Sequence, residues 1–363
     1  MIVGSVKEDG LIDKRISITP DTAKNLNDLG LKVYLEKKYA EHIGIPDENY
    51  KNVKFFDNPN ELINSSNLLA QVNCPSKNLI ESFKENSIIL GMLNPHKNKE
   101  VLDNLVKKKV NPFSLELLPR ITRAQSMDVL SSQANLAGYR AVIDSIYEFE
   151  KAIPMMMTAA GTVPAAKVLV IGAGVAGLQA IATAKRLGAI VSATDVRAAS
   201  KEQVESLGAK FLTVEGSENL ETKSGYAKEA GEDFKKKQAQ MLEKAAINSD
   251  IIICTALIPG KPAPKIISEK MIDGMKQGSV IFDLAVTQGG NAAYSEIDKI
   301  VVKKGVKIIG ISNVMNKLPV TASSLYAKNI FSFIRNLYSK EKKQFVVNMK
   351  DEIIKNTLIK GSN

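Results

Sequence analysis

The apolar run Lys167-Val-Leu-Val-Ile171 leads straight into Gly172-Ala-Gly174-Val-Ala-Gly177, and a second apolar run, residues 190–194, ends in Asp195. A helix-compatible stretch from Leu178 to Leu187 separates the two, so the segment predicts strand, tight turn, helix, strand. Each glycine has its own task. Gly172 turns the chain out of the strand, Gly174 leaves the backbone bare for a pyrophosphate, and Gly177 lets the helix lie close on the sheet. The phosphates then meet the positive N-terminal end of that helix. Asp195 falls where an adenosine ribose offers its hydroxyls. Gly172, Gly174, Gly177 and Asp195 together read as a dinucleotide site.

The rest of the composition limits what surrounds this site. A chain of 363 residues has room for two or three domains. Its 44% hydrophobic and 24% charged content is that of a globular protein. The longest uncharged run, residues 168–184, carries three glycines and a glutamine and is accounted for by the turn, so no transmembrane helix is expected. The N-terminus lacks a basic stretch ahead of an apolar one and predicts no secretory signal, hence a cytoplasmic protein. Cys74 and Cys254 are too far apart in sequence, and too isolated, for a disulfide framework or a zinc site, and read as two buried thiols. The net charge of +10 is spread over scattered lysines, with short runs at Lys107 to Lys109 and Lys235 to Lys237. That scatter argues against nucleic acid and fits a basic rim facing an anionic membrane or an acidic partner.

Apolar β-type runs alternate with helical patterns through residues 2–6, 20–29, 32–36, 68–72, 88–93, 97–108 and 113–117. Such alternation predicts parallel strands with crossover helices. A long helix is expected over 128–151, then a Met, Gly and Pro loop over 154–164. Beyond the glycine unit, strands are expected at 210–214, 250–254, 279–283 and 307–309, and a last helix at 321–337. The predicted fold is α/β: two doubly wound parallel-sheet domains of Rossmann type joined by long helices. Residues 1–130 with 320–363 form the first and 131–319 the second. The charged tail after Ser339 is expected to be loosely ordered. Residues 215–234 lack apolar periodicity and read as a lid, with Gly225 and Tyr226 at its centre.

Four runs carry a resemblance: PRITRAQSMD (119–128), SSQANLAGYRAV (131–142), PMMMTAAGTVP (154–164) and TALIPGKPAP (255–264). They closely resemble the NAD(H)-binding portion of proton-translocating NAD(P) transhydrogenases, in the split form where this portion is a separate subunit. The wider group shares its Arg-x-x-x-x-Pro opening, here Arg15 to Pro20, with alanine dehydrogenases. The resemblance implies direct hydride transfer of the Re/Si-specific type between NAD(H) bound here and NADP(H) on a partner subunit. It further implies proton coupling through a transmembrane partner, a homodimer, and a peripheral position on the cytoplasmic face of the inner membrane. It assigns the nicotinamide to a loop bearing Arg120, Ile121, Thr122, Gln125, Asp128 and Ser131. In those roles Asp128 and Ser131 fix the carboxamide, Arg120 orients Asp128, and Gln125 reaches toward the partner's nucleotide. Around the rest of the cofactor it sets Val175, Val196, Arg197, Gly225, Gln238 and Leu257 with Asp195, and it makes Tyr226 the tip of the lid. Without the resemblance, Arg120 and Asp128 read as a helix-capping ion pair.

The competing reading is a single-chain alanine dehydrogenase. The positions corresponding to its proton-transferring residues are Gln71, Asn94 and Thr287, none of which titrates near neutrality, although His96 lies two residues past Asn94. The substrate pocket of such an enzyme is therefore expected to lack a titrating group here. Arg197 beside Asp195 raises the question of a 2′-phosphate; Asp195 would repel one, which favours NAD.

Overall fold

The computed structural model describes residues 1–197, 199–213, 232–258 and 261–361. Two compact units emerge, Met1–Gln133 with Met315–Asn363, and Ala134–Val314. In the first unit, β1 (Ile2–Ser5), α1 (Pro20–Asp28), β2 (Lys32–Glu36), β3 (Val53–Phe56), α2 (Pro59–Ser65), β4 (Leu68–Asn73), β5 (Ile88–Met92), α3 (Lys99–Lys107) and β6 (Asn111–Ser114) follow in order. The six strands form one parallel sheet in the order β3-β2-β1-β4-β5-β6. Strand order reverses between β1 and β4, the place where open α/β sheets leave a crevice at their carboxyl ends. Expected strand 113–117 stops at Ser114, and Leu115–Leu117 is a 3-10 turn. The pair β3 and α2 escaped the sequence reading because both are short and polar residues interrupt them, Lys54 in β3 and Asn60, Glu61 and Asn64 in α2.

Helix α4 (Val129–Phe149) runs from the first unit into the second. There follow an antiparallel hairpin, β7 (Met156–Thr158) and β8 (Gly161–Val163), then β9 (Lys167–Ile171), α5 (Val175–Arg186), β10 (Ile190–Thr194), α6 (Ser200–Ser206) and β11 (Lys210–Phe211). After the undescribed stretch come α7 (Glu232–Ile247), β12 (Ile251–Cys254), α8 (Glu269–Gly274), β13 (Val280–Asp283), β14 (Lys299–Lys303) and β15 (Val306–Gly310). The sheet order is β11-β10-β9-β12-β13-β15-β14, parallel except for β14 at the edge. β12 and β13 are buried at every position, as strands covered on both faces must be. The doubly wound α/β fold is the expected one. The loop anticipated at 154–164 is largely a hairpin, closed by Gly161 at φ +122. Cys254 is buried, but Cys74 is only half-buried, a correction to the expectation of two buried thiols.

The chain returns to the first unit through α9 (Pro319–Leu337), whose buried face carries Ala322, Tyr326, Ile330, Phe333 and Leu337 at helical spacing. Tyr326, Ile330, Phe333 and Leu337 share one core with Val3, Leu35, Leu68, Leu90 and Phe113 of the first sheet. Fully burying a side chain of this size contributes about 1.5–3 kcal/mol. The tail beyond Ser339 is not loose. A short hairpin, β16 (Tyr338–Ser339) with β17 (Gln344–Phe345), leads to α10 (Glu352–Thr357). Asp351 caps α10 by accepting from the Ile353 N–H, and Ile353 and Ile354 enter the same core. Two isoleucines among charges were too few for a periodicity reading, yet each buries fully.

Candidate nucleotide site

In the second unit the strand order reverses between β9 and β12, and the glycine turn lies at the carboxyl end of β9. Gly172 has φ +92, and a Cβ there would stand 2.6 Å from Thr255 Oγ1. A Cβ on Gly177 would stand 1.8 Å from the Gly172 carbonyl oxygen, so only glycine allows α5 to start this close to its own turn. Gly174 differs, because a Cβ there would meet only the Arg197 guanidinium, at 3.9 Å. The space over Gly174 is thus open backbone, and α5 begins at it without a side-chain cap. Uncapped helical N–H groups beside bare backbone suit a diphosphate. The residues present fit a dinucleotide.

Asp195 follows β10. Its Oδ2 accepts from the Ala173 N–H at 2.7 Å and Arg197 Nη2 at 2.9 Å; its Oδ1 accepts from Arg197 N and Nε, both at 2.9 Å. Burial works to raise the pKa of this carboxyl, but the donors from Arg197 and Ala173 outweigh it and hold the group ionised below the usual range. Val196 is half-buried beside it. Val175, in the first turn of α5, and Leu257, in the segment after β12, are exposed apolar side chains on the connections that follow neighbouring strands. Gln238 is half-buried on α7. Gly225 and Tyr226, with all of the expected lid up to Gly231, lie outside the described residues; Glu232 to Phe234 belong to α7.

Three residues that shape this site were not anticipated. Thr255 Oγ1 faces the carbonyls of Ile171 and Gly172, at 3.1 and 3.0 Å, and ties the end of β12 to the glycine turn. Asn291, fully buried, accepts from the Ala256 N–H and donates to the Ala256 and Pro264 carbonyls, bracing the segment after β12. Its only sequence signal is its place behind Gly289 and Gly290, both at positive φ. Gly138 on α4 would put a Cβ 2.0 Å from the Ala176 carbonyl oxygen, so α4 crosses the start of α5 at backbone contact.

In the first unit, Thr122–Met127 is a 3-10 turn pinned by Ala124 and Met127 in the core. Arg120, Thr122 and Gln125 are exposed, and Ile121 is half-buried. Asp128 accepts from the Ser131 N–H at 2.9 Å and the Ser131 Oγ–H at 2.5 Å, which caps the start of α4. The structure therefore brings Asp128 and Ser131 together and leaves Gln125 facing solvent.

At the reversal point of the first sheet, the segment after β1 folds over the end of β4. Glu8 Oε1 accepts from Val72 N (2.6 Å), Asn73 N and Gln71 Nε2 (both 3.3 Å), and Oε2 accepts from Asn73 Nδ2 (3.0 Å). Asp13 grips the buried Arg15 through Nε and Nη2, while Arg15 Nη1 donates to Gln133. Burial pushes the Glu8 carboxyl up to about 7, against its hydrogen bonds, with the Asp13 charge adding to the rise. Gln71 was expected to mark a place without a titrating group; Glu8 corrects this, supplying one from a different strand connection. His96 is exposed.

Family models described as Alanine dehydrogenase/PNT, N-terminal domain and C-terminal domain match residues 4–137 and 141–362. The chain belongs to the alanine dehydrogenase/PNT family. It is 49% identical over 356 residues to an NAD(P) transhydrogenase alpha-subunit protein of Rhodospirillum rubrum, covering 96% of this chain and 93% of the relative. A crystal structure of transhydrogenase from Sinorhizobium meliloti superposes with a TM-score of 0.89 at 43% identity, covering 99% of this chain and 98% of that one. An L-alanine dehydrogenase shares the fold at 20% identity, with a TM-score of 0.82 over 99% of this chain and 96% of the other. The resemblance carried by the four sequence runs is borne out. Among the described residues, no helix of this family member is long and apolar enough to cross a membrane, and no group of three or more His, Cys, Asp or Glu is placed to hold a metal.

Proposed function

We propose that the chain is the NAD(H)-binding alpha subunit of a proton-translocating NAD(P) transhydrogenase, passing hydride between NAD(H) and NADP(H) held by a partner subunit. The observation that carries the reading is the bare Gly174 backbone at the start of α5 with the ionised Asp195 at the end of the adjacent strand. The likeness to transhydrogenase alpha subunits supports the class of reaction. NAD(H) supplies the hydride-carrying ring when bound. The chain's own residues bind and orient. α5 and Gly174 receive the pyrophosphate, and Asp195 takes the ribose hydroxyls. Asp128 and Ser131 hold the carboxamide, with Arg120 orienting Asp128, Ile121 and Thr122 flanking the ring and Gln125 directed to the second nucleotide. Tyr226 closes the lid and excludes water. Transfer between two nicotinamides needs no acid or base, only contact, orientation and dryness. The subunit works as a homodimer beside a membrane partner that moves the proton, on the cytoplasmic face.

Glu8 keeps one alternative open, an amino-acid dehydrogenase complete in one chain, since its pKa of about 7 suits proton transfer. Among the described residues, the hydrogen bonds that engage its oxygens come from Gln71, Val72 and Asn73 of β4, which favours a structural duty. One experiment separates the two. Purified chain given NAD and alanine is expected to form no pyruvate, and mixed with an NADP(H)-binding partner domain it is expected to exchange hydride between the nucleotides. Alanine oxidation by the lone chain at ordinary dehydrogenase rates would overturn the proposal.

A further inference from the structure

A carboxylate has about four acceptor positions. On Asp195 four donors are already in place: the backbone N–H groups of Ala173 and Arg197, and Nε and Nη2 of the Arg197 side chain. A ribose diol brings two O–H donors of its own, and Asp195 has no position left for them. The backbone donors are fixed by the glycine turn and the chain following β10. Only the guanidinium can leave. It also reaches over the glycine left bare for the pyrophosphate, with Nη2 3.9 Å from where a Gly174 Cβ would stand. Its side chain keeps 20% exposure against 7% for Asp195, so it has an exit to solvent while the carboxylate stays in place.

We propose that Arg197 is a placeholder in the nucleotide seat: it occupies the ribose acceptors of Asp195 in the free chain and must be displaced from them for NAD(H) to bind. Arg197 then opposes nucleotide affinity instead of supplying it, a role opposite to that of a phosphate-binding arginine. A ribose diol replaces the two lost side-chain donors, and the Asp195 charge opposes a 2′-phosphate. The inference rests on the nucleotide reading of this seat.

The test is calorimetric titration of NADH into the intact chain carrying Arg197→Met, Arg197→Lys, Asp195→Asn, or Asp195→Asn with Arg197→Met. The Arg197→Met chain is expected to bind NADH at least threefold more tightly than wild type, with Arg197→Lys between the two because one ammonium does not match the two-oxygen fork. On the Asp195→Asn background the gain from Arg197→Met is expected to vanish, since residue 195 then offers no ionised carboxylate for the guanidinium to occupy. Unchanged or weaker NADH binding by Arg197→Met, with an unaltered circular dichroism melt, would overturn the placeholder role. If that variant does not fold, the Arg197→Lys result decides in the same direction. A wild-type chain that fails to bind NADH at all removes the nucleotide reading, and the placeholder with it, a failure distinct from the variant ratios.

Discussion

Replacing Glu8 by glutamine is expected to stabilise the first unit at pH 8 and to change it little at pH 5. The Glu8 carboxyl is raised from 4.5 to about 7 because burial disfavours its charged form more than its four N–H donors favour it. The charged groups nearest it in that network are Asp13 and Arg15, themselves paired. Below about 4.5 the carboxyl is neutral in folded and unfolded chains alike. As pH rises from there, the unfolded chain loses its proton first, so the folded state weakens by about 1.4 kcal/mol per unit until both are ionised near 7. The full cost of the ionised group is then about 3 kcal/mol, from a shift of about 2.5 units. Glutamine escapes that cost. It loses about 1 kcal/mol where its amide meets the Asn73 amide in place of a carboxylate oxygen. A net gain of about 2 kcal/mol at pH 8 is the expected outcome. Urea unfolding followed at pH 5, 6, 7 and 8, with hydrogen exchange at Val72 and Asn73 to localise the effect to β4, measures it. A variant less stable than wild type at pH 8, or a difference independent of pH, would refute the claim that burial dominates at Glu8.

Asp195→Ala should weaken NADH binding by about 1–3 kcal/mol through loss of a charged hydrogen-bonding partner, which an unchanged calorimetric affinity would refute, and the wild-type chain should prefer NADH to NADPH strongly, which equal affinities for the two would refute. Asp128→Asn and Arg120→Ala should slow hydride exchange in the complex far more than they weaken NADH binding, because their proposed work is orientation, and matched losses in rate and affinity would argue for a purely binding role. Gly177→Ala places a methyl 1.8 Å from the Gly172 carbonyl and should destroy nucleotide binding while costing several kcal/mol in thermal or urea unfolding; a variant with wild-type affinity would show that the turn yields more readily than its geometry implies.

The glycine turn, both parallel sheets and the long helices were legible in the sequence because each rests on local pattern. β9 is an unbroken aliphatic run, Gly172 and Gly177 sit where sterics tolerate nothing larger, and α9 repeats its apolar residues at helical spacing. Tertiary structure decided what pattern alone does not encode. Glu8 and Gln71 are 63 residues apart, and only parallel pairing of β1 with β4 sets the acid over the β4 backbone, where burial shifts its titration. The four donors on Asp195 come from two strand connections, and their count, which turns Arg197 from a supposed ligand into an occupant, exists only in three dimensions. The tail shows the same limit from the other side. Ile353 and Ile354 look like two apolar residues in a charged stretch until the core of the first unit closes over them. Sequence reports how a residue relates to its near neighbours along the chain; burial, charge pairing and hydrogen-bond saturation depend on neighbours in space, which the fold alone supplies.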